Sequence, residues 1–213
     1  MPNNISKIAV DFFHDPVCCW CFNMSSRLRI LADEFDLDIR HRTFVLQDSI
    51  EAMRSRWGNP EQTLTLILKH WDACRAVSDR PEMIDVERMR NAGFDYPHGF
   101  QAALACKAAE KLFGQAAHWD MFDALQQAHF VEARNIADAE VLLDVAKSLG
   151  YERVRFSSEM GSPVTHADVQ ADRRDAWEFH IHSIPHIRVR KTGQCVVSGS
   201  LEEVREQLSY ICK

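Results

Sequence analysis

The sequence has no cluster of basic residues and no long hydrophobic run. Its 213 residues include 25 Lys and Arg against 31 Asp and Glu, which gives a formal net charge of -6. Because phosphate binding depends on clustered Lys and Arg, we expect no nucleic-acid partner. No apolar run approaches the ~20 residues that a membrane helix needs, so we expect no membrane partner either.

Signals for targeting and for repeats are also missing. The segment "MPNNISKIAVDFFHDP" has a single Lys and no small-residue cleavage site, so it predicts no secretory signal, and we expect a cytoplasmic protein. No internal repeat or low-complexity stretch is visible. With 46% hydrophobic residues, the chain can bury a full core without disulfides. The chain has seven cysteines, and the cluster that begins at Cys18 is therefore a candidate for catalysis or metal binding.

The apolar patterns predict strands near both ends of the chain and helices between them. "KIAVDFF" predicts a buried central strand, "FNMSSRLRILADEF" a helix and "DLDIRHRTFVL" a second strand, which together make a βαβ unit. Amphipathic segments follow from about residue 47 and predict a helical bundle. A further helix is expected over "THADVQADRRDAWEF", in which "DRRDAWE" would be a solvated face. Strands are then expected at 187–190 and 195–198, before a final helix "LEEVREQLSYI". We therefore expect an α/β fold with one domain over residues 1–50 and 162–213, and an inserted all-helical domain over 51–161.

The sequence "DPVCCWC" places three cysteines within four positions, at the junction of the first strand and the first helix. Free amides and the positive dipole end at a helix N-terminus favour a thiolate, so Cys18 should ionise below the ~8.5 of a free thiol. Cys21, one turn further in, would be more buried and would act as the resolving thiol. This spacing therefore favours a redox dithiol.

Metal binding and a structural disulfide are the other interpretations of these cysteines. A structural zinc site usually needs two close ligand pairs, and only one pair is present. Histidines could complete a site in principle, but we favour the absence of a metal; the candidates are His14, His180, His182 and His186. A disulfide between Cys18 and Cys21 would close too short a loop to be mainly structural.

Pro185 in "SIPHIRV" is the second signal. A proline at the start of a strand needs no ladder hydrogen bond, and a cis peptide bond there would make a fixed tight turn. A plain strand-edge proline is the alternative.

With these motifs, the chain resembles the DsbA-like branch of the thioredoxin superfamily, and most closely its FrnE-like group. "DPVCCWC" is similar to that group's D-P-x-C-P-W-C, "FVEARNI" to its F-x-E-G-R-D-I, and "SIPHIRV" to its cis-proline loop. The resemblance implies a thioredoxin-like mixed sheet with an inserted all-helical domain. It also implies thiol–disulfide oxidoreductase activity on a disulfide-containing protein or small molecule, with no resident cofactor and with glutathione as a candidate co-substrate.

The resemblance also assigns roles by position. It makes Cys18 the attacking thiol, Cys21 the resolving thiol and Pro185 the cis-proline. Ile184 would offer its backbone to a substrate strand. Trp20 would shape the contact surface, or else simply cover the helix end.

Two residues near the motif have more than one interpretation. Cys19 departs from the group's pattern, which commonly has proline there. This third thiol could compete for oxidation, although a bridge between the neighbours Cys18 and Cys19 would be strained. His14 could stabilise the thiolate or shuttle a proton, or it could be an exposed residue at the end of the strand.

Two other functions stay open. The 2-hydroxychromene-2-carboxylate isomerases and kappa-class glutathione transferases share the helical insertion and use glutathione. They usually carry a serine near the position of Cys18 and lack the second cysteine, so the presence of both thiols favours dithiol exchange. A redox-inert binding module that holds a partner or a zinc ion is the third hypothesis.

Overall fold

The computed structural model describes residues 7–211 of the chain. Its sheet has four strands in the order β2-β1-β3-β4. β1 pairs in parallel with β2 and antiparallel with β3, which pairs antiparallel with β4. The strands are β1 Ile8–His14, β2 Leu37–Thr43, β3 His186–Val189 and β4 Cys195–Val196. The fold is therefore α/β with a mixed sheet, as expected.

Helices connect and cover these strands. A 3-10 turn covers Pro81–Met83, and a π-helical segment covers Gln127–Val131. The α-helices are α1 Cys19–Glu34, α2 Ile50–Trp57, α3 Pro60–Ala76, α4 Val86–Arg90, α5 Phe100–Phe113, α6 Gln115–Gln126, α7 Ala139–Ser148, α8 Arg153–Met160, α9 Pro163–Glu178 and α10 Leu201–Ile211. In the described residues 7–211, no helix has the length and apolar character needed to cross a membrane.

The central strand β1 is buried on both faces. Phe12 and His14 point toward α6 and contact Phe122 on one face. Phe13 points the opposite way and contacts Phe179. A strand covered on both faces has a continuous apolar sequence, which is why its pattern predicted a central position.

The helix boundaries follow local sequence signals. Asn59 and Gln62 form a capping box at the start of α3, and Pro60 occupies its first turn. α5 ends at Gly114, whose φ of 91° lies in the region that only glycine adopts easily.

The two outer strands are shorter than predicted. β2 ends at Thr43 because Val45 has a φ of 60° and turns the chain away from the sheet. β4 ends at Val196 because the side chain of Gln207 forms hydrogen bonds with the backbone N–H and carbonyl of Val197. Gln207 accepts from its N–H at 2.7 Å and donates to its carbonyl at 3.0 Å.

A buried ionic cluster joins α9 to β2 and α5. Asp172 accepts from Arg42 Nη1 and from Lys107 Nζ, both at 2.7 Å, and its Oδ2 also accepts from the backbone N–H of Thr43. Asp172 is 1% exposed. The prediction that "DRRDAWE" is a solvated face was therefore wrong at Asp172, because the arginine and lysine that neutralise it come from distant parts of the chain.

Candidate active site

The loop after β1 places Cys18 at the start of α1. Cys18 is the N-cap, with extended backbone angles (φ -92°, ψ 109°), and its N–H donates to the carbonyl of Asp15 at 3.0 Å. Its own carbonyl accepts from the N–H groups of Cys21 and Phe22, at 3.0 and 3.1 Å. Cys18 is 7% exposed and Cys21 is fully buried. The predicted order of burial of the two thiols is confirmed.

The chemical state of Cys21 follows from its surroundings. Burial raises the pKa of Cys21 well above its usual value, and a hydrogen bond to Cys18 raises it further. The raised pKa keeps Cys21 a protonated thiol in the reduced protein at neutral pH.

The loop before β3 lies against the same sulfur. The Ile184–Pro185 peptide bond is cis, as the motif suggested. Cys18 Sγ lies 4.0 Å from the carbonyl oxygen of Ile184. The structure therefore brings together the two motifs that lie far apart in the sequence.

The extra thiol of Cys19 points toward α3. Its sulfur lies 3.7 Å from the carbonyl oxygen of His70, and it is buried. A hydrogen bond to Cys74 and burial together raise the pKa of Cys19 well above its usual value. Cys19 is thus a protonated thiol paired with Cys74, whose position next to this motif the sequence did not reveal.

A buried carboxylate supports the loop between β1 and α1. Asp15 accepts from the N–H of Val17 at 3.1 Å and from the N–H of Leu46 at 2.7 Å. Burial raises the pKa of Asp15 to about 6, although these two bonds act in the opposite direction. Its carboxylate fills the space where Gly99 would carry a Cβ, so position 99 accepts no side chain without moving Asp15.

A cleft of about 350 Å³ opens beside Cys18. Its walls come from α1, from the loop before β3, and from α2 and α3. Most of the wall is aromatic or aliphatic, and Arg56 and His182 add polar groups at its edge. Trp20 lines this cleft and is half-buried, which fits the predicted contact surface better than a helix cover. The other apolar lining residues include Met53, Trp57, Ile67, Trp71 and Ile184.

Tyr96 connects the floor of the cleft to the cysteine loop. Its hydroxyl donates to the carbonyl of Val17 at 3.2 Å and accepts from Trp71 Nε1 at 3.2 Å. His129 Nε2 lies 2.9 Å from the same oxygen. All four groups are buried, so the network fixes the loop just before Cys18.

His14 does not match the interpretation as an exposed residue, and its role toward the thiolate stays a prediction. It is fully buried rather than exposed at the strand end. Its ring points toward α6, where Nε2 lies 3.2 Å from His41 Nδ1, and it contacts His118 and Phe122. The alternation of β2 predicts an inward-facing His41, but the approach of His118 depends on the packing of α6.

Comparisons with known proteins agree with this geometry. The family model described as Thioredoxin matches residues 12–201. A structure from Nitrosomonas europaea, described as a proposed protein disulfide isomerase, superposes with a TM-score of 0.78. It has 20% identity and covers 96% of this chain and 97% of that chain. Cytosolic disulfide reductase DsbM from Pseudomonas aeruginosa gives a TM-score of 0.75 at 21% identity, over 95% of this chain and 98% of that chain. DsbM has also been solved with GSH.

Curated relatives include the ClpXP adapter protein SpxH of Shouchella clausii. It is 25% identical over 178 residues, which cover 81% of this chain and 54% of that protein. The chain thus spans about half the length of the curated relatives it matches. The structural matches show a shared fold of the DsbA-like type.

Proposed function

Since the chain belongs to the thioredoxin family, we propose that it is a thiol–disulfide oxidoreductase that uses Cys18 and Cys21. The observation that carries this proposal is the position of Cys18. Its sulfur lies at the N-terminus of α1, beside the cis-Pro185 loop and at the wall of the cleft. Unpaired amides of a first helical turn favour a sulfur anion.

Dithiol exchange then takes two steps. The Cys18 thiolate attacks one sulfur of a substrate disulfide, forms a mixed disulfide and releases the other sulfur as a thiolate. Cys21 then loses its proton and attacks Cys18 Sγ, which releases the second substrate thiolate. The substrate gains two electrons, and Cys18 and Cys21 become a disulfide. The same steps in reverse would oxidise a substrate dithiol.

The cleft and the cis-proline loop supply the substrate contacts in this proposal. The backbone of Ile184 would pair with an extended segment of the substrate, while Trp20 and Trp57 would pack against its apolar groups. A peptide segment or a small molecule of similar size fits a cleft of about 350 Å³. We therefore propose protein or small-molecule disulfides as substrates, in the cytoplasm.

A glutathione-dependent reaction is the second candidate. Arg56 lies at the edge of the cleft that contains Cys18, where its charge would attract a carboxylate of glutathione. In this mechanism Cys18 would act without Cys21. Turnover of an electrophile that requires glutathione, survives Cys21→Ser and is lost in Cys18→Ser would favour this candidate over dithiol exchange. A redox-inert binding module is the third, and it would show no exchange at all.

The test is trapping of the mixed disulfide. In Cys21→Ser, the first step proceeds and the second cannot, so incubation with a peptide disulfide should leave half of the peptide attached to Cys18, which intact-protein mass spectrometry detects. Cys18→Ser should form no adduct. Cys195→Ser, which alters an exposed cysteine away from the cleft, is the matched control and should retain the wild-type rate. Undiminished exchange by Cys18→Ser would disprove the proposal.

The direction of electron flow follows from the reduction potential. Equilibration of the wild-type chain with reduced and oxidised glutathione gives that potential, which can be compared with a cytosolic poise of roughly -220 to -320 mV. A potential below this range favours a reductase, and one above it favours an oxidant.

A further inference from the structure

Three buried histidines meet between the sheet and α6. His14 from β1, His41 from β2 and His118 from α6 each offer a ring nitrogen, and these nitrogens all lie within 4.8 Å of one another. The ring centroids form a nearly equilateral triangle, with separations of 5.2 to 5.3 Å. None of the three side chains is exposed by more than 1%. This group is called the histidine triad below.

Some ring nitrogens of the triad have a lone pair that accepts no hydrogen bond. His118 Nδ1 lies 2.8 Å from Glu110 Oε2, so it carries the proton that the carboxylate accepts. His118 Nε2 is then a bare lone pair, buried and without a hydrogen-bond partner among the described residues. Between His14 and His41 only one proton bridges the two facing nitrogens, and His14 Nδ1 and His41 Nε2 have no described partner either. A bound cation would take up the free lone pair of His118 Nε2 and would replace the proton that the facing nitrogens of His14 and His41 share.

The nitrogen spacing matches that around a single metal ion. Three imidazole nitrogens bound tetrahedrally at about 2.0–2.1 Å lie about 3.4 Å apart. The facing nitrogens of His14 and His41 are 3.2 Å apart, and one nitrogen from each of the three rings lies within 4.8 Å of the other two. The bond from His118 to Glu110 is the carboxylate–histidine arrangement that orients metal-binding imidazoles.

The charges around the triad are compatible with a cation. Burial lowers the pKa of all three histidines, so their rings are neutral at pH 7, the form that binds metals. Lys107 is the nearby cation, and it is neutralised by bonds to Glu110 and Asp172 at 2.8 and 2.7 Å. Arg29, near His41, is paired with Asp120 and Asp123.

We propose that the histidine triad binds one zinc ion through His14, His41 and His118. Zinc prefers tetrahedral sites with imidazole ligands and is redox-inactive, so it would not compete with thiol exchange. The ion would join β1 and β2 to α6. Since Asp15 and the cysteine loop follow His14 directly, the bound zinc ion would also fix the end of β1, where the reactive loop begins. This site is separate from the zinc site of a binding module, which would use the cysteines.

The experiment measures zinc binding to the full chain. The protein is stripped with a chelator, dialysed against buffered zinc, and analysed for bound metal. We expect one ion per chain, and at least about a hundredfold weaker binding in His118→Gln. Glu110→Gln keeps all three ligands and should weaken binding by about 10–100-fold. If His118→Gln fails to fold by circular dichroism, the Glu110→Gln variant decides.

His186→Gln and Cys21→Ser are the matched controls. His186 lies 3.3 Å from the sulfur of Cys195 and offers a competing exposed metal pair, whereas Cys21 belongs to the dithiol. Both variants should bind zinc as the wild type does, and bound Co²⁺ should show no thiolate charge-transfer band. The proposal would be overturned by an absence of zinc binding or by a loss of zinc binding in Cys21→Ser. It would also be overturned if His118→Gln and Glu110→Gln both bound zinc at full affinity.

Discussion

Lys107 Nζ lies 2.7 Å from Asp172 Oδ2, and both side chains are buried. The pair joins α5 to α9, and Arg42 completes it from β2. Because removal of one member of a buried ion cluster leaves the others unpaired, Asp172→Ala should lower the free energy of unfolding by about 3–5 kcal/mol. Denaturant unfolding measures this loss.

The same two helices provide the control. Lys111 and Asp168 form an exposed pair at 3.2 Å between α5 and α9. Asp168→Ala should change stability by less than about 1 kcal/mol, because exposed ion pairs contribute little. Equal losses in Asp172→Ala and Asp168→Ala would contradict the assignment of the buried cluster as a main connection.

Tyr96→Phe should destabilise the floor of the cleft. The change removes the hydroxyl that joins Val17, Trp71 and His129, and it leaves the Trp71 N–H buried without an acceptor. We expect a loss of about 1–3 kcal/mol in the free energy of unfolding. The exchange rate of Cys18 should fall as well, since Val17 precedes it. An unchanged stability would show that the network contributes nothing to the fold.

Acid should destabilise the protein below pH 6.5, where the buried histidines stay neutral in the folded chain. The pKa values of the triad histidines are lowered by burial, and that of His129 is lowered to about 3. The unfolded chain therefore binds more protons than the folded chain below pH 6.5. Their contribution is fully present above pH 6.5 and is lost as the pH falls, by up to ~1.4 kcal/mol per pH unit for each group.

Asp15 has the opposite effect on stability between pH 3.8 and about 6. Its pKa is raised from 3.8 to about 6 in the folded protein, so its contribution to stability decreases as the pH rises between these values. The four histidines together change the stability more than the one carboxyl group does. We therefore expect a lower free energy of unfolding at pH 5 than at pH 7.5, measured in the presence of a metal chelator. Equal stability at both values would show that the histidines are not held neutral.

Cys19→Pro should be tolerated. Cys19 is the first residue of α1, where the N–H has no carbonyl one turn earlier and proline is favoured. The extended backbone of Cys18 suits a following proline. We expect a loss of about 1 kcal/mol, from the sulfur contacts to α3, and retention of disulfide exchange. Met24→Pro, inside the same helix, should cost about 3 kcal/mol or more, and a similar loss for Cys19→Pro would contradict this assignment.

Local signals predicted the parts of the fold that depend on neighbouring residues. The buried run of β1 and the placement of Cys18 at a helix start are both encoded within a few positions. The domain boundaries at 50 and 162 stay a prediction. Contacts between distant segments had no such signal: Cys74 beside Cys19, His118 beside His14, and Lys107 beside Asp172. These depend on how α3 packs against α1, α6 against β2 and α5 against α9, which periodicity does not specify.

The absence of a side chain at Gly99 links two parts of the chain that lie more than eighty positions apart. The carboxylate of Asp15 occupies the notch that this glycine leaves at the start of α5. A graft of the cysteine loop onto another scaffold would therefore carry the carboxylate of Asp15 but not the space beside Gly99 that accommodates it. During evolution, the reactive loop and the helix that accommodates it would have to diversify together.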